Sequence, residues 1–277
     1  MKYQILIDSS CDLNPDYLKE TNIGLNIIPI KIYVSGKEYI DDENLDVQEL
    51  ITAMNNTKEK MGSACPSPED WSSKFGNTEY TFVVTMTSNL SGTYNSAVVA
   101  RDMAENKDKI HIFDSKSTSG SMELIVDEIV RLINEETEFD EIITQVEEFI
   151  KTRNLFFILH KFDNLIANGR MSKFAGLMAK TLVIKPVCTA SKEGTIDIVH
   201  KCIGSLNAYK KMAELAFARC KDFFKRKLII THCNNQEDAT KIKDILCEKC
   251  NFKEIIIKPM RGLTSLYAQE KGVIACF

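Results

Sequence analysis

Three segments carry closely spaced hydroxyl side chains directly behind apolar runs. They are Asp8-Ser9-Ser10, Thr87-Ser88-Asn89-Leu90-Ser91-Gly92-Thr93 and Asp114-Ser115-Lys116-Ser117-Thr118-Ser119-Gly120. Hydroxyls gathered in this way can donate hydrogen bonds to an anion. The second segment is the sharpest. Ser91 stands where a helix is expected to begin, and Gly92 lets a ligand approach the backbone closely. Unpaired N–H groups and the helix dipole favour negative charge there. Ser91 alone would be an ordinary helix cap. In the loop Met61–Pro68, a cap at Ser67 explains Ser67 and Pro68 but leaves Ser63 unexplained.

The residues absent around these hydroxyls narrow the chemistry. Ser91 follows Leu90 and Asn89, so the G-x-S-x-G nucleophile elbow is missing. No histidine is close to it in sequence, and there is no P-loop or G-x-G-x-x-G. The four histidines, His111, His160, His200 and His232, show no metal-ligand spacing. Asp41-Asp42 is a pair of acids that nothing in the sequence places in a site. Cys247 and Cys250 form the one close cysteine pair, and a buried apolar role for them outweighs zinc or redox chemistry. Hydroxyl donors without a base describe binding better than turnover, with no metal and no cofactor expected. Two alternatives stay open. A serine esterase or thioesterase would need a base beside Ser91, for which His160 and His232 are the candidates. Another small anion, such as a phosphate ester, would suit the same helix start.

The elements that must position these residues alternate along the chain. Strands are expected at Tyr3–Ile7, Thr81–Thr85 and Ile110–Phe113, with an extended run Ile23–Val34 broken by Pro29. Asn14-Pro15 reads as a helix cap followed by proline, and helices are expected from Asp46, from Ser67 and over Ser91–Glu105. Two amphipathic helices cover 120–135 and 139–152. This rhythm implies a Rossmann-like, mostly parallel sheet whose carboxyl edge gathers the three hydroxyl segments. In the second half, strand Leu155–Leu159 precedes a short helix ended by Gly169 and a helix Ser172–Thr181. Val183–Ala190 and Thr195–Cys202 read as a hairpin turning at Lys192-Glu193-Gly194. Helix Ser205–Lys225, strand Lys227–Cys233, a helix to about Lys249, and strands Lys253–Lys258 and Val273–Phe277 follow. The fold expected is two α/β domains, 1–153 and 154–277, the second with a mixed sheet.

Composition sets the outer limits. The 277 residues are 44% apolar and 27% charged, with a net charge of −4, which is ordinary for a globular chain. No dense basic stripe suggests nucleic acid. No apolar run approaches a membrane span, and Met1-Lys2-Tyr3 leads straight into a strand rather than a signal peptide. A cytoplasmic protein is expected, with its nine cysteines reduced.

Taken in order, several pieces resemble the DegV family of bacterial fatty-acid-binding proteins over nearly the whole chain. They are Ile5–Ser10, the Ser63–Ser67 loop, Leu90–Ala97, Asp114-Ser115 with Ser119-Gly120, Asn168-Gly169-Arg170-Met171-Ser172-Lys173-Phe174, and Ile184–Val187 with its hairpin. The resemblance implies a long-chain fatty acid buried between two α/β domains and no catalysis by the chain itself. It implies carboxylate contacts from Ser63, standing in the family's Thr-Ser-Gln-Pro-Ser loop, and from Ser91 of Leu-Ser-Gly-Thr-Tyr. Gly92, Thr93, Ser115 and Arg170 are implied as supporting pocket residues. Some members present the acid to a separate fatty acid kinase, so such a kinase is an implied partner. The sequence departs from the family pattern at Cys65, at Ile203 where an arginine is usual, and at Tyr267–Lys271 where His-x-Gly-Pro-Gly is usual. The last two bear on a kinase rather than on the lipid.

Overall fold

The computed structural model describes residues 1–76, 78–171 and 184–277. Among these residues the strands form three sheets. The first is wholly parallel, in the order β2 (Ile23–Ile28), β1 (Tyr3–Asp8), β6 (Tyr80–Thr85), β7 (Ile110–Asp114). Its central strand Tyr3–Asp8 is buried at every position, as a strand covered on both faces must be. A small antiparallel sheet joins β4 (Lys37–Ile40), β3 (Lys31–Val34) and β5 (Gly62–Ala64). The third is mixed: β10 (Ile196–Ile203), β9 (Ile184–Ala190), β8 (Leu155–Ile158), β13 (Val273–Cys276), β11 (Lys227–His232), β12 (Glu254–Pro259). Only its β11–β12 pair is parallel. Strands before and after residue 153 thus fall in separate sheets.

Local chemistry explains most element ends. Pro29 separates β2 from β3, because it cannot donate to a ladder. The Asp46 carboxylate accepts from the backbone N–H of Gln48 and Glu49 and opens the helix Val47–Asn56. Ser67 and Asp70 form a reciprocal capping box, but the helix behind it runs only Pro68–Ser72. The two long helices, Gly120–Asn134 and Phe139–Thr152, are amphipathic as expected. Ile125, Ile129 and Leu132 of the first enter the core that also holds Ile5, Ile7 and Phe82.

Several expectations need correction. Asn14 makes no side-chain cap, and Pro15–Leu18 is a single 3-10 turn. The helix expected from Ser91 begins at Thr93 and ends at Asp102. The helix expected over Ser205–Lys225 stops at Arg219, where Cys220 turns extended and buries its side chain; a 3-10 turn follows at Phe223–Lys225. The expected helix Ser172–Thr181 lies outside the described residues, as do Ser172, Lys173 and Phe174. Not anticipated were strands β4 and β5 and the short helix Gly262–Ala268.

The two halves are fastened by charge as well as by apolar contact. Glu123, 1% exposed, sits on helix Gly120–Asn134. It pairs with Lys227 at 3.3 Å and, more closely, with Lys258, both from the mixed sheet. Lys227 also reaches Asp127 at 2.9 Å. Removing the Glu123 charge leaves two cations facing each other in a largely enclosed place. Glu123→Gln should therefore lower the unfolding free energy by roughly 3 kcal/mol. Asp127→Asn, at the more open end, should cost less than about 1 kcal/mol. Urea titration of both variants checks the order.

Candidate functional site

A cavity of about 350 Å³ lies between the parallel and mixed sheets. One wall is apolar and comes mainly from the second half: Leu155 and Phe157 of β8, Ile274 of β13, Leu159 and Leu165. Ile30, Met86 and Leu90 of the first half and Leu263 continue it. Ala190, Gly194, Thr195 and Ile196 bring the β9–β10 hairpin against it. The hairpin turn is seated closely. A Cβ built on Gly194, whose φ is +82°, would stand 2.1 Å from the Thr87 hydroxyl oxygen and 2.9 Å from Lys116 Cα. The Asn89 side-chain amide donates to the Glu193 carbonyl at 2.6 Å.

Part of the polar lining gathers around Ser63 and Ser91, apart from Thr87, Lys116, Ser117, Thr118, Thr195 and Thr264, which also line the cavity. Ser63 lies on β5, held opposite Ile32 of β3. Its Oγ is 2.9 Å from Tyr267 Oη. The Arg170 guanidinium lies 5.6 Å from the centre of the Tyr267 ring. Arg170 also donates to the carbonyls of Leu90 at 3.1 Å and Asn168 at 2.5 Å, so it stands beside the segment that carries Ser91. Ser91 Oγ is 2.8 Å from Thr93 Oγ1 and accepts from the Thr93 N–H at 3.3 Å. A Cβ on Gly92 would be 3.2 Å from Cys65 Sγ, so the two loops approach closely there. Ser96 Oγ donates to the Pro66 carbonyl at 2.6 Å and ties the same loops below.

Of the residues singled out in the sequence, Ser63, Ser91, Gly92 and Arg170 line this cavity. Thr93 and Ser115 are not among the lining residues. Thr93 is fully buried and braces Ser91 through its hydroxyl. Ser115 is fully buried in its own turn, donating to the Ser117 carbonyl at 3.1 Å and accepting from the Ser117 N–H at 3.1 Å. Ser91 itself precedes the cap residue Gly92 rather than capping the helix. Ile203 is 70% exposed at the end of β10, away from the cavity.

In the sequence Tyr267 stands out only as part of a departure from the family pattern. The structure places its hydroxyl in the polar group, on the helix Gly262–Ala268. That helix has no local capping side chain. The buried Asp41 carboxylate, far away in sequence, accepts from the N–H of Gly262 at 3.0 Å and of Leu263 at 2.8 Å. A side chain at 262 would stand 2.6 Å from Asp41 Oδ1. Gly262 behind Arg261, with Leu263 and Leu266 three apart, was the only sequence signal for this element. Asn168 has a bracing role of its own that the sequence does not announce. Its amide donates to the carbonyls of Met61 at 2.9 Å and Asn164 at 2.8 Å, joining the β5 approach to the Gly-Arg turn.

The first hydroxyl segment serves the fold beneath the cavity. Asp8 accepts from the Met86 N–H at 2.7 Å and from the N–H and hydroxyl of Ser10. Asp12 accepts from the Ser119 hydroxyl at 2.6 Å and the Arg261 N–H at 2.7 Å. Burial pushes each carboxyl up to about 6, against the partial compensation of these donors. Burial likewise raises Asp41.

No histidine, aspartate or glutamate is among the described residues that line the cavity, whereas Lys116 and Arg170 are. His232, one candidate base, bonds Gln236 at 2.7 Å and borders a different cavity. Among the described residues no group of three or more His, Cys, Asp and Glu side chains could hold a metal ion. No described helix is long and apolar enough to cross a membrane. The arrangement can accept an anion at one end and an apolar chain along the rest.

An α/β protein with an apolar cavity headed by hydroxyls and cations between its sheets is the class these features define. The chain belongs to the DegV family: the family described as "Uncharacterised protein, DegV family" matches residues 2–277. A DegV domain-containing protein of Streptococcus pneumoniae is 32% identical over 281 aligned positions, covering 99% of this chain and 98% of that one. The crystal structure of a DegV family protein from Ruminococcus gnavus, refined with vaccenic acid, superposes with a TM-score of 0.93 at 29% identity, covering 100% of this chain and 99% of that one. The Fatty Acid Kinase (Fak) B3 protein of Streptococcus pneumoniae, loaded with linoleic acid, gives 0.90 at 31% identity, covering 100% and 99%.

The raised carboxyls make a pH prediction. Asp8 and Asp12 hold their protons more tightly folded than unfolded. Their stabilising contribution is therefore complete below about pH 4 and is lost as pH rises through about 6. Asp12→Asn should flatten the stability profile across that window, measured by urea titration at stepped pH. An unchanged slope would contradict this account.

Proposed function

We propose that this chain binds one long-chain fatty acid without catalysing a reaction on it, between domains 1–153 and 154–277. The carboxylate sits at Ser63 and Ser91. Tyr267 supplies a third hydroxyl and Arg170 a cation beside it, and the acyl chain runs along Leu155, Phe157 and Ile274. The reading rests on the hydroxyls of Ser63, Ser91 and Tyr267 gathered beside Arg170, with no histidine, aspartate or glutamate among the described lining residues, against a wall of apolar side chains. The bound fatty acids of the two similar crystal structures support it.

The energetics agree. A C16 chain buries about fifteen methylenes, a gross gain of roughly 12 kcal/mol. Ordering and desolvation offset a good part of it. A carboxylate taken out of water unpaired would be prohibitive. Hydroxyl donors and a nearby guanidinium make its burial tolerable. The tail thus gives affinity, and the head group gives orientation. A serine esterase is disfavoured by the lack of a histidine or carboxylate among the described residues that line the cavity. No cofactor enters this reading, and we place the protein in the cytoplasm.

Purified protein examined by native mass spectrometry should carry fatty acid. Ser63→Ala and Ser91→Ala should each weaken binding about 10- to 100-fold, as expected for loss of a hydrogen bond to a charged group. Protein that carries no lipid and takes up none at micromolar concentration would sink the proposal. Tyr267→Phe should weaken binding by a smaller factor, because Ser63 keeps its own hydroxyl.

We further propose presentation of the bound acid to a separate fatty acid kinase. Similarity to the Fak B3 protein supports this. Mixing loaded protein with such a kinase and ATP should yield acyl phosphate. A loaded protein that yields none would leave the carrier role intact and remove the kinase partnership.

A further inference from the structure

A second, wider cavity of about 1,380 Å³ adjoins the first, and the two share Lys116, Ser117, Leu155 and Ala190 as lining residues. Its character differs. Six cations and four carboxylates line it, although the whole chain carries a net charge of −4. Lys116 is neutralised by Asp114 at 2.7 Å, and Lys151 by Glu148 at 2.5 Å. Its three arginines are not: among the described residues, Arg153, Arg219 and Arg226 have no carboxylate partner.

All three are anchored around the chain entry to β8. Arg153 donates to the carbonyls of Ser121 at 2.8 Å, Ser115 at 2.9 Å and Ile150 at 3.2 Å, and to the Ser121 hydroxyl. Its buried Nε has no hydrogen-bond partner among the described residues. Arg226 donates to the Thr152 carbonyl at 3.0 Å. Arg219 donates to the Thr189 hydroxyl at 2.9 Å, and that hydroxyl donates to the Leu155 carbonyl at 2.7 Å. The Arg219 plane is steadied over Phe156, 4.8 Å from the ring centre. Carbonyls and hydroxyls orient these guanidinium groups but leave their charge uncompensated.

We propose that this cleft is a second ligand site, which binds a small phosphate-bearing anion through Arg219 and Arg226, with Arg153, whose Nη groups are taken by carbonyls and a hydroxyl, adding only its charge. A guanidinium fork matches two phosphate oxygens at once. A cleft of one net sign, walled by protein, also concentrates counter-ions of the other sign. The site is independent of the fatty-acid reading, since none of the three arginines lines the apolar cavity.

Calorimetric titration with sodium tripolyphosphate at low and high salt tests it. Saturable binding that weakens with salt is expected. In the double variant Arg219→Gln, Arg226→Gln it should weaken at least about 10-fold, while fatty-acid uptake stays as in the parent. Should the double variant misfold by circular dichroism, Arg219→Gln alone, at an exposed side chain, should still weaken binding about threefold. A parallel titration with ATP separates the sources: tighter binding than tripolyphosphate assigns a nucleotide, and equal binding assigns the phosphates alone. Absence of saturable tripolyphosphate binding in the parent protein overturns the proposal. So does a folded double variant that binds it undiminished.

Discussion

The Asp41 carboxylate accepts two backbone hydrogen bonds from Gly262 and Leu263, across more than two hundred residues of chain. This one contact sets the helix that carries Tyr267 against the small β3–β4–β5 sheet, and so fixes Tyr267 opposite Ser63. It also explains the glycine, because the helix backbone must approach a fully buried acid. Burial alone would make such an acid destabilising, and directed N–H donors are what make it tolerable. The polar head of the cavity therefore depends on a buried acid that does not line the cavity.

The same logic recurs beneath and beside the site. Asp8 holds the Met86 N–H at the end of β6, Asp12 holds the Arg261 N–H, and Glu123 draws Lys227 and Lys258 across the junction. Buried acids act as struts between loops, while uncharged hydroxyls and the Arg170 cation face the cavity. This division leaves the head of the cavity electrically receptive to an anion. A carboxylate placed there meets donors and positive charge, with no acid among the described lining residues to repel it.

Much of the fold could be read from local sequence. β1, β6, β7 and the helices Gly120–Asn134 and Phe139–Thr152 announce themselves by continuous apolar runs or helical periodicity. The hairpin of β9 and β10 follows from its Gly194 turn. What escaped was set by distant partners. β5 is three residues long and is a strand only because β3 lies beside it. Helix Gly262–Ala268 is capped from Asp41, which no local pattern reveals. At the site, Ser91 and Gly92 stood out in a hydroxyl-rich loop and Ser63 in a loop that capping did not explain, whereas Arg170 came from the family resemblance alone. Ser115 and Thr93 belonged to the same clusters, yet their hydroxyls are consumed by neighbouring turns. Residue type marked the right loops; only packing separates the hydroxyls that face the cavity from those that brace it. Tyr267 was missed because a tyrosine in an apolar helix looks like core.

The polar residues at Ser63 draw two of their number, Ser63 and Ser91, from the first half of the chain and two, Arg170 and Tyr267, from the second. An occupant of the cavity therefore touches both halves at once, at its head and along its length. It becomes a missing piece of hydrophobic interior that neither half encodes, as a keystone completes an arch. Binding of this kind is thermodynamically inseparable from folding, since any molecule held only by the assembled form raises the free energy of taking that form apart. Such an occupant would add to the coupling between the halves that Glu123, Lys227 and Lys258 already provide.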